Sequence, residues 1–322
     1  MARILSGIQP SGQLHIGNYL GMMKPMIEQQ ENNELFCFIV NYHAMTTLKN
    51  AEELRRNTLE AAIDFLALGL DPDKCFFWVQ SDIPEIQELS WILSCSTSLG
   101  LLERSTSYKD KIAKGITTNA GLYTYPVLMA ADILMFQAEK VPVGKDQKQH
   151  LEITRDIATA FNMTYGETFI LPEPVIREEV AIIPGIDGQK MSKSYGNTIC
   201  MFEEEKPLRK KIMKIVTDSK GVEESKNPDT CNVFQLYKLF ASPDQTADLR
   251  KRYLEGGLGY GTAKTELFEI ILEYFGPYRA KREALAADPD SVRKILKQGA
   301  EKTREIAEKT LKEVRKKSGI NY

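Results

Sequence analysis

Short apolar runs, separated by amphipathic stretches, set the layout of the chain. Arg3-Ile4-Leu5-Ser6 predicts a short strand, and Gly7 to Gln13, carrying Pro10 and a second glycine, predicts a turn-rich loop. Ile16, Tyr19, Leu20 and Met23 then recur at helical spacing. Strand, glycine-rich loop and helix in that order form the first unit of a doubly wound α/β fold. There the loop's N–H groups and the helix N-terminus face a phosphate. Pro25 is expected to kink or divide the helix. Leu35 to Val40 is a continuous apolar run, the pattern of a buried parallel strand. Asn41-Tyr42-His43 stands at its carboxyl end, where such folds place ligands. Asn50 reads as an N-cap for a helix bearing Leu54, Leu59, Ala62, Ile63, Leu66 and Leu70, with Gly69 and Pro72 at its end. Cys75 to Val79 predicts the next strand, ending in Gln80-Ser81-Asp82.

From Pro84 to Met163 the spacing turns helical. Glu85–Leu102, Ser107–Ala113 and Leu122–Phe136 are predicted helices, and Glu139–Val143 is a short strand before Gly144-Lys145-Asp146-Gln147. A long helix with Leu151, Ile157, Ala158 and Phe161 on its apolar side follows, and Pro172, Pro174 and Pro184 break what comes next. Pro207 opens a basic helix, and helices continue to the C-terminus, interrupted at Pro243, at the glycines 256–259, at Gly276-Pro277 and at Pro289. The expectation is an α/β protein with a Rossmann-like parallel-sheet core over 1–205, a helical insertion over 84–180, and an α-helical domain over 206–322. The last helix, with Val292, Ile295, Leu296, Ile306, Leu311 and Val314 on one face, is a candidate to pack back on the core.

Composition narrows the function classes. A chain of 322 residues with a net charge of −2 does not announce a nucleic-acid binder through its overall field, so any RNA contact must use local basic patches. Lys206, Arg209, Lys210, Lys211 and Lys214 form one such stretch; Arg279, Lys281 and Arg282 form another. Cys37, Cys75, Cys95, Cys200 and Cys231 are scattered, which argues against a zinc knuckle or iron–sulfur site and suits a reducing cytoplasm. No apolar run reaches membrane-span length, and no charged-then-apolar signal segment opens the sequence.

The chemistry concentrates in Lys190-Met191-Ser192-Lys193-Ser194, between Pro184-Gly185-Ile186-Asp187-Gly188 and Tyr195-Gly196-Asn197. A lone Lys-x-x-Lys is most often a solvated turn. Here it is paired with Pro10-Ser11-Gly12-Gln13-Leu14-His15-Ile16-Gly17-Asn18. Together the two stretches resemble the KMSKS and HIGH signatures of class I aminoacyl-tRNA synthetases, with Asn in the last HIGH position. Ser6 to Gly12, Tyr125-Pro126 with Leu128 to Leu134, and Val141 to Gly144 with Asp146 to His150 resemble the bacterial tryptophanyl-tRNA synthetase family more closely still. The resemblance is strong over the first two-thirds of the chain and weak over the rest.

That resemblance implies ATP, Mg²⁺, L-tryptophan, the cognate tRNA(Trp) and a homodimer, with an anticodon-binding role for 206–322. It implies His15, Asn18, Lys190 and Lys193 as catalytic. Gln9, Pro10, Ser11, Gly17, Asn18, Gly144, Lys145, Asp146, Ile183, Lys190, Met191, Ser192, Lys193 and Ser194 would meet the nucleotide. Asp132 would accept the indole N–H, which can only donate. Tyr125, Gln147 and His43 would face the ammonium group, and Met129, Val141 and Val143 would line the indole slot; alone, these read as ordinary core. No side-chain metal ligand is assigned. Two departures stand out: Leu5 where many members carry an aromatic, and Ser107 where a larger amide is common. The tyrosyl enzyme stays the nearest alternative, since a tyrosine hydroxyl also donates and Asp132 does not separate the two. A small-molecule nucleotidyltransferase and a non-catalytic RNA-binding paralogue fit less well with an intact lysine loop and His15.

Overall fold

The computed structural model describes residues 1–10, 12–105, 119–144, 147–176 and 183–321. The described strands are β1 (Arg3–Ile8), β2 (Glu34–Ile39), β3 (Cys75–Val79), β4 (Lys140–Val143) and β5 (Glu173–Ile176). The helices used below are α1 (Asn41–Ala44), α2 (Ala51–Ala67), α3 (Glu85–Cys95), α4 (Leu99–Glu103), α5 (Ala120–Met135), α6 (Lys148–Tyr165), α7 (Glu205–Met213), α8 (Tyr260–Ala287) and α9 (Pro289–Ser318). They fall into two compact units. The first contains 1–12, 26–178 and 288–322; the second contains 13–25 and 179–287. This partition differs from the expected division by role at residue 205.

The first unit is built on a five-stranded sheet in the order β3-β2-β1-β4-β5, with every pairing parallel. The chain winds outward from β1 to β3, then returns to the other side of β1 with β4. That reversal makes the carboxyl ends of β1 and β4 a topological switch point, where open α/β sheets bind ligands. Phe36, Phe38, Trp78 and Phe136 fill the core, with Phe38 stacked on Trp78 at 4.9 Å between centroids. The last helix, α9, returns to this unit and lies against β3. A side chain at Gly299 would sit 1.8 Å from the Phe77 carbonyl oxygen, so only glycine permits this approach. Arg315 of α9 also pairs with Glu88 of α3.

Two readings of the sequence change in this unit. Glu85–Leu102 is not one helix: α3 ends at Cys95 and α4 restarts with Ser98 as its N-cap. The prolines after α6 do not exclude a strand, because β5 holds Pro174; at a sheet edge the missing donor need face no neighbour. The predicted helix 107–113 lies outside the described residues.

In the second unit helices dominate. Gly276-Pro277 does not interrupt α8, which runs through Pro277. Losing one helical bond costs about 3 kcal/mol, and the burial of Leu267, Ile270, Ile271 and Phe275 offsets it. A π-helical turn, Tyr19–Met23, directly precedes Pro25, the register shift expected where a donor is missing. Tyr19 packs edge-on to Phe275 and shares a 2.8 Å hydrogen bond with Tyr274. Among the described residues no helix is long and apolar enough to cross a membrane.

Candidate active site

In the first unit a cavity of about 380 Å³ opens at the carboxyl ends of β1, β2 and β4, within the usual size of small-ligand pockets. Leu5, Met129, Ile133, Val141 and Val143 give it apolar walls; Gln9, His43, Tyr125, Asp132, Gln147 and His150 supply the polar groups. Nine residues named from the sequence thus meet in one place: Leu5, Gln9, His43, Tyr125, Met129, Asp132, Val141, Val143 and Gln147. Pro10 and Gly144 adjoin it in sequence. Ser11, Ser107, Lys145 and Asp146 lie outside the described residues.

Asp132 comes from the last turn of α5 and is 2% exposed. Its Oδ2 accepts from His43 Nε2 at 2.8 Å. Gln80 Nε2 donates to both carboxylate oxygens. Burial pushes the Asp132 carboxyl above its ordinary range, while the hydrogen bond and charge of His43 and the hydrogen bond of Gln80 pull it back. The Tyr125 hydroxyl bonds His150 Nε2. Gln80 and His150 were not singled out from the sequence. Their one signal was position: Gln80 ends a parallel strand, and His150 closes a quoted motif.

The second unit carries the two signatures side by side. His15 bridges in antiparallel fashion to Cys200, and Ile16 N–H donates to the Ile199 carbonyl at 3.0 Å. His15 caps the turn Ile16–Asn18: its Nδ1 accepts from Asn18 N–H at 3.3 Å, and Asn18 Oδ1 accepts from His15 N–H at 3.1 Å. Burial, then the charge of Lys193, lowers the His15 pKa to about 4. The ring is therefore neutral near pH 7, and with Nδ1 accepting, its proton resides on Nε2. Gly17 has a reason here that does not involve a ligand. A Cβ there would lie 2.9 Å from His15 Nδ1.

The lysine loop grows from a tight hairpin in which Pro184 bridges Lys190, and the Ile183 carbonyl accepts from Met191 N–H at 2.8 Å. Met191 is buried and Lys190, Lys193 and Ser194 are exposed. Asn197, 1% exposed, organises the loop. Its Oδ1 accepts from Ser192 N–H at 2.8 Å, and its Nδ2 donates to Asp187 at 2.8 Å and to the Lys190 carbonyl at 3.1 Å. Asn197 carries no flag in the sequence, because its partners are contributed mostly by backbone.

The basic stretches are only partly free to meet a ligand. Lys211 pairs with Glu203, Arg209 lies over the Phe268 ring, Arg279 donates to the Met201 carbonyl, and Arg282 lies over Phe202. Lys206, Lys210, Lys214 and Lys281 are exposed. Among the described residues no group of three or more His, Cys, Asp or Glu side chains is placed to hold a metal ion.

A parallel sheet with a pocket at its switch point, together with paired histidine and lysine signatures, defines a class I synthetase. The family described as tRNA synthetases class I (W and Y) matches residues 1–276. A tryptophan–tRNA ligase of Fusobacterium nucleatum is 55% identical, over 99% of this chain and 98% of that relative. A crystal structure of tryptophanyl-tRNA synthetase from Campylobacter jejuni complexed with ADP and tryptophan superposes with a TM-score of 0.96 at 51% identity. The match covers 98% of this chain and 99% of that one. The tryptophanyl-tRNA synthetase of Mycoplasma pneumoniae matches with a TM-score of 0.81 at 32% identity, over 99% and 98% of the two chains. The chain belongs to the tryptophan–tRNA ligase family.

Proposed function

We propose that this chain activates L-tryptophan with ATP, releasing pyrophosphate, and transfers the activated amino acid to the 3′-terminal ribose of tRNA(Trp). The observation that carries the reading is Asp132: a buried carboxylate, supported by two donors, in an apolar pocket. A carboxylate is costly to bury. It is useful where the ligand has one polar side-chain atom and that atom donates, as in indole.

The amino-acid carboxylate is ionised and needs no general base to attack the α-phosphorus. The protein's task is to position it and to meet charge that moves onto the leaving phosphates. Lys190 and Lys193 supply that charge on exposed, flexible stems. His15 donates from Nε2 as a neutral group, and Asn18 offers its amide nitrogen, since its oxygen is held in the cap. Gln9, Pro10, Gly17, Gly144, Ile183, Met191, Ser192 and Ser194, with Ser11, Lys145 and Asp146, complete the nucleotide assignment. Mg²⁺ would arrive on the phosphates, which it commonly prefers to an all-protein cage.

Lys206, Lys210, Lys214 and Lys281 are the exposed cations available for tRNA phosphates, and the helices after residue 205 are assigned to the anticodon arm. A homodimer is supported by Trp91, 72% exposed, and Leu99, 67% exposed, on neighbouring helices α3 and α4. Five unpaired cysteines fit a reducing cytoplasm. The test is ATP–pyrophosphate exchange with each of the twenty amino acids in turn. Exchange with tryptophan is expected; exchange with tyrosine alone, or with none, overturns the reading.

A further inference from the structure

Gln80 has no part in the reaction as described, yet it is completely buried at the carboxyl end of β3. Its Nε2 spans the Asp132 carboxylate, 2.8 Å from Oδ1 and 2.9 Å from Oδ2. Its Oε1 accepts from Tyr42 N–H at 3.0 Å, so turning the amide over would break all of these bonds. The residues beside it repeat the tie: Asn41 Nδ2 donates to Ser81 Oγ at 2.8 Å, and Ser81 N–H donates to Asn41 Oδ1 at 3.1 Å. His43, on the same turn as Tyr42, takes a further lone pair of Oδ2. A carboxylate offers about four acceptor directions. Gln80 bonds both oxygens and His43 adds a second bond at Oδ2, so Oδ1 holds one bond fewer than Oδ2.

We propose that Gln80 is a positioning residue for side-chain specificity: it holds Asp132 ionised and turned so that Oδ1 keeps one acceptor direction for an indole N–H. The proposal rests on the tryptophan reading. Gln80 touches Asp132 and not the substrate, so its effect appears in discrimination and in pH dependence.

Two variants test it. Gln80→Leu removes the donor at similar volume. Gln80→Glu keeps the shape and the bond accepted from Tyr42 but turns an acceptor oxygen toward Asp132. Two carboxyl groups in contact share a proton, and one titrates far above its ordinary value. While protonated, the introduced carboxyl donates to Asp132 as the amide does; on losing its proton it repels. The quantity to measure is the ratio of kcat/KM for tryptophan to that for the analogue with sulfur in place of the indole N–H, by pyrophosphate exchange from about pH 6 to pH 9. Gln80→Leu should lower that ratio at least about tenfold at every pH. Gln80→Glu should match that loss at high pH and recover toward the unmutated ratio at low pH. Damage to the fold lowers both substrates together and leaves the ratio in place. Ratios within about twofold of the unmutated chain in both variants, under 0.5 kcal/mol, overturn the proposal. So does a Gln80→Glu profile parallel to the unmutated one. If the unmutated chain exchanges no tryptophan, the functional reading falls and this one with it; exchange with unchanged ratios removes Gln80 alone.

Discussion

In the pocket of the first unit the Asp132 carboxylate is buried, 2% exposed, and bonded to His43 and to the fully buried Gln80. In the lysine loop the charged side chains are exposed, and only the anchors, Met191 and Asn197, are buried. Selecting one side chain requires an acceptor that cannot rearrange to suit a competitor, so its orientation is fixed by packing and by hydrogen bonds. Meeting charge that appears during reaction and leaves with pyrophosphate requires side chains that can follow it, on exposed stems rather than in a packed wall.

The largest effect that can break this contrast is at the loop. Lys193→Ala should slow single-turnover adenylate formation by a factor of about a hundred or more, with tryptophan binding nearly unchanged, because the contact strengthens only as charge develops. A rate within about threefold of the unmutated one would show that the loop is not catalytic.

The pocket side of the contrast predicts a smaller loss of a different kind. Asp132→Ala leaves the indole N–H desolvated and unpaired, at about 1–3 kcal/mol, or roughly tenfold to over a hundredfold in kcat/KM for tryptophan. The ratio of tryptophan to phenylalanine activation should fall with it. An unchanged ratio would make Asp132 a structural residue and move specificity elsewhere.

A third outcome concerns surface cations that belong to neither region. Changing Lys206, Lys210 and Lys214 together to Gln should weaken tRNA binding and flatten its salt dependence, since fewer counterions are released. Pyrophosphate exchange, which needs no tRNA, should not move. If the salt slope of aminoacylation is unaltered, α7 presents only a solvated face.

The smallest effect sharpens the account of the buried carboxylate. A folded pKa above the unfolded value of 3.8 means that the folded state binds more protons there, so this group's contribution falls as pH rises through that window. Asp132→Asn removes the titration. Its melting temperature relative to the unmutated chain should therefore be higher at pH 7 than near pH 4, by a few degrees. A pH-independent difference would mean that Asp132 is not held above its ordinary range.

Much of this was legible in the sequence, for reasons that differ between the two regions. The lysine loop is contiguous, so Lys190 to Ser194 could be recognised as a run. The strands β1 to β3 were visible because apolar continuity marks a sheet buried on both faces. The pocket is discontinuous: Leu5, His43, Asp132 and Val141 come from separate elements, and only the motif resemblance joined them. Gln80 escaped because a glutamine at a strand end carries no chemical flag until its partner across the fold is known. Asn197 escaped because it bonds chiefly to backbone, which every sequence supplies equally. Pro174 and Pro277 misled for a common reason. A missing donor matters only if the position needed one, and sheet edges and well-packed helices tolerate the loss.

Gly299 bears on how the protein is made. The helix it allows onto β3 comes after the whole of 179–287 in the chain, so it leaves the ribosome after that segment. Translation runs at roughly 5–20 residues per second. From the emergence of β3 to that of α9, on the order of ten seconds or more, the nascent sheet has an uncovered outer strand of five residues, Cys75-Phe76-Phe77-Trp78-Val79. An apolar strand with a free edge is a template for pairing with another chain. The vulnerable moment of this protein therefore falls during its own synthesis, before α9 reaches β3.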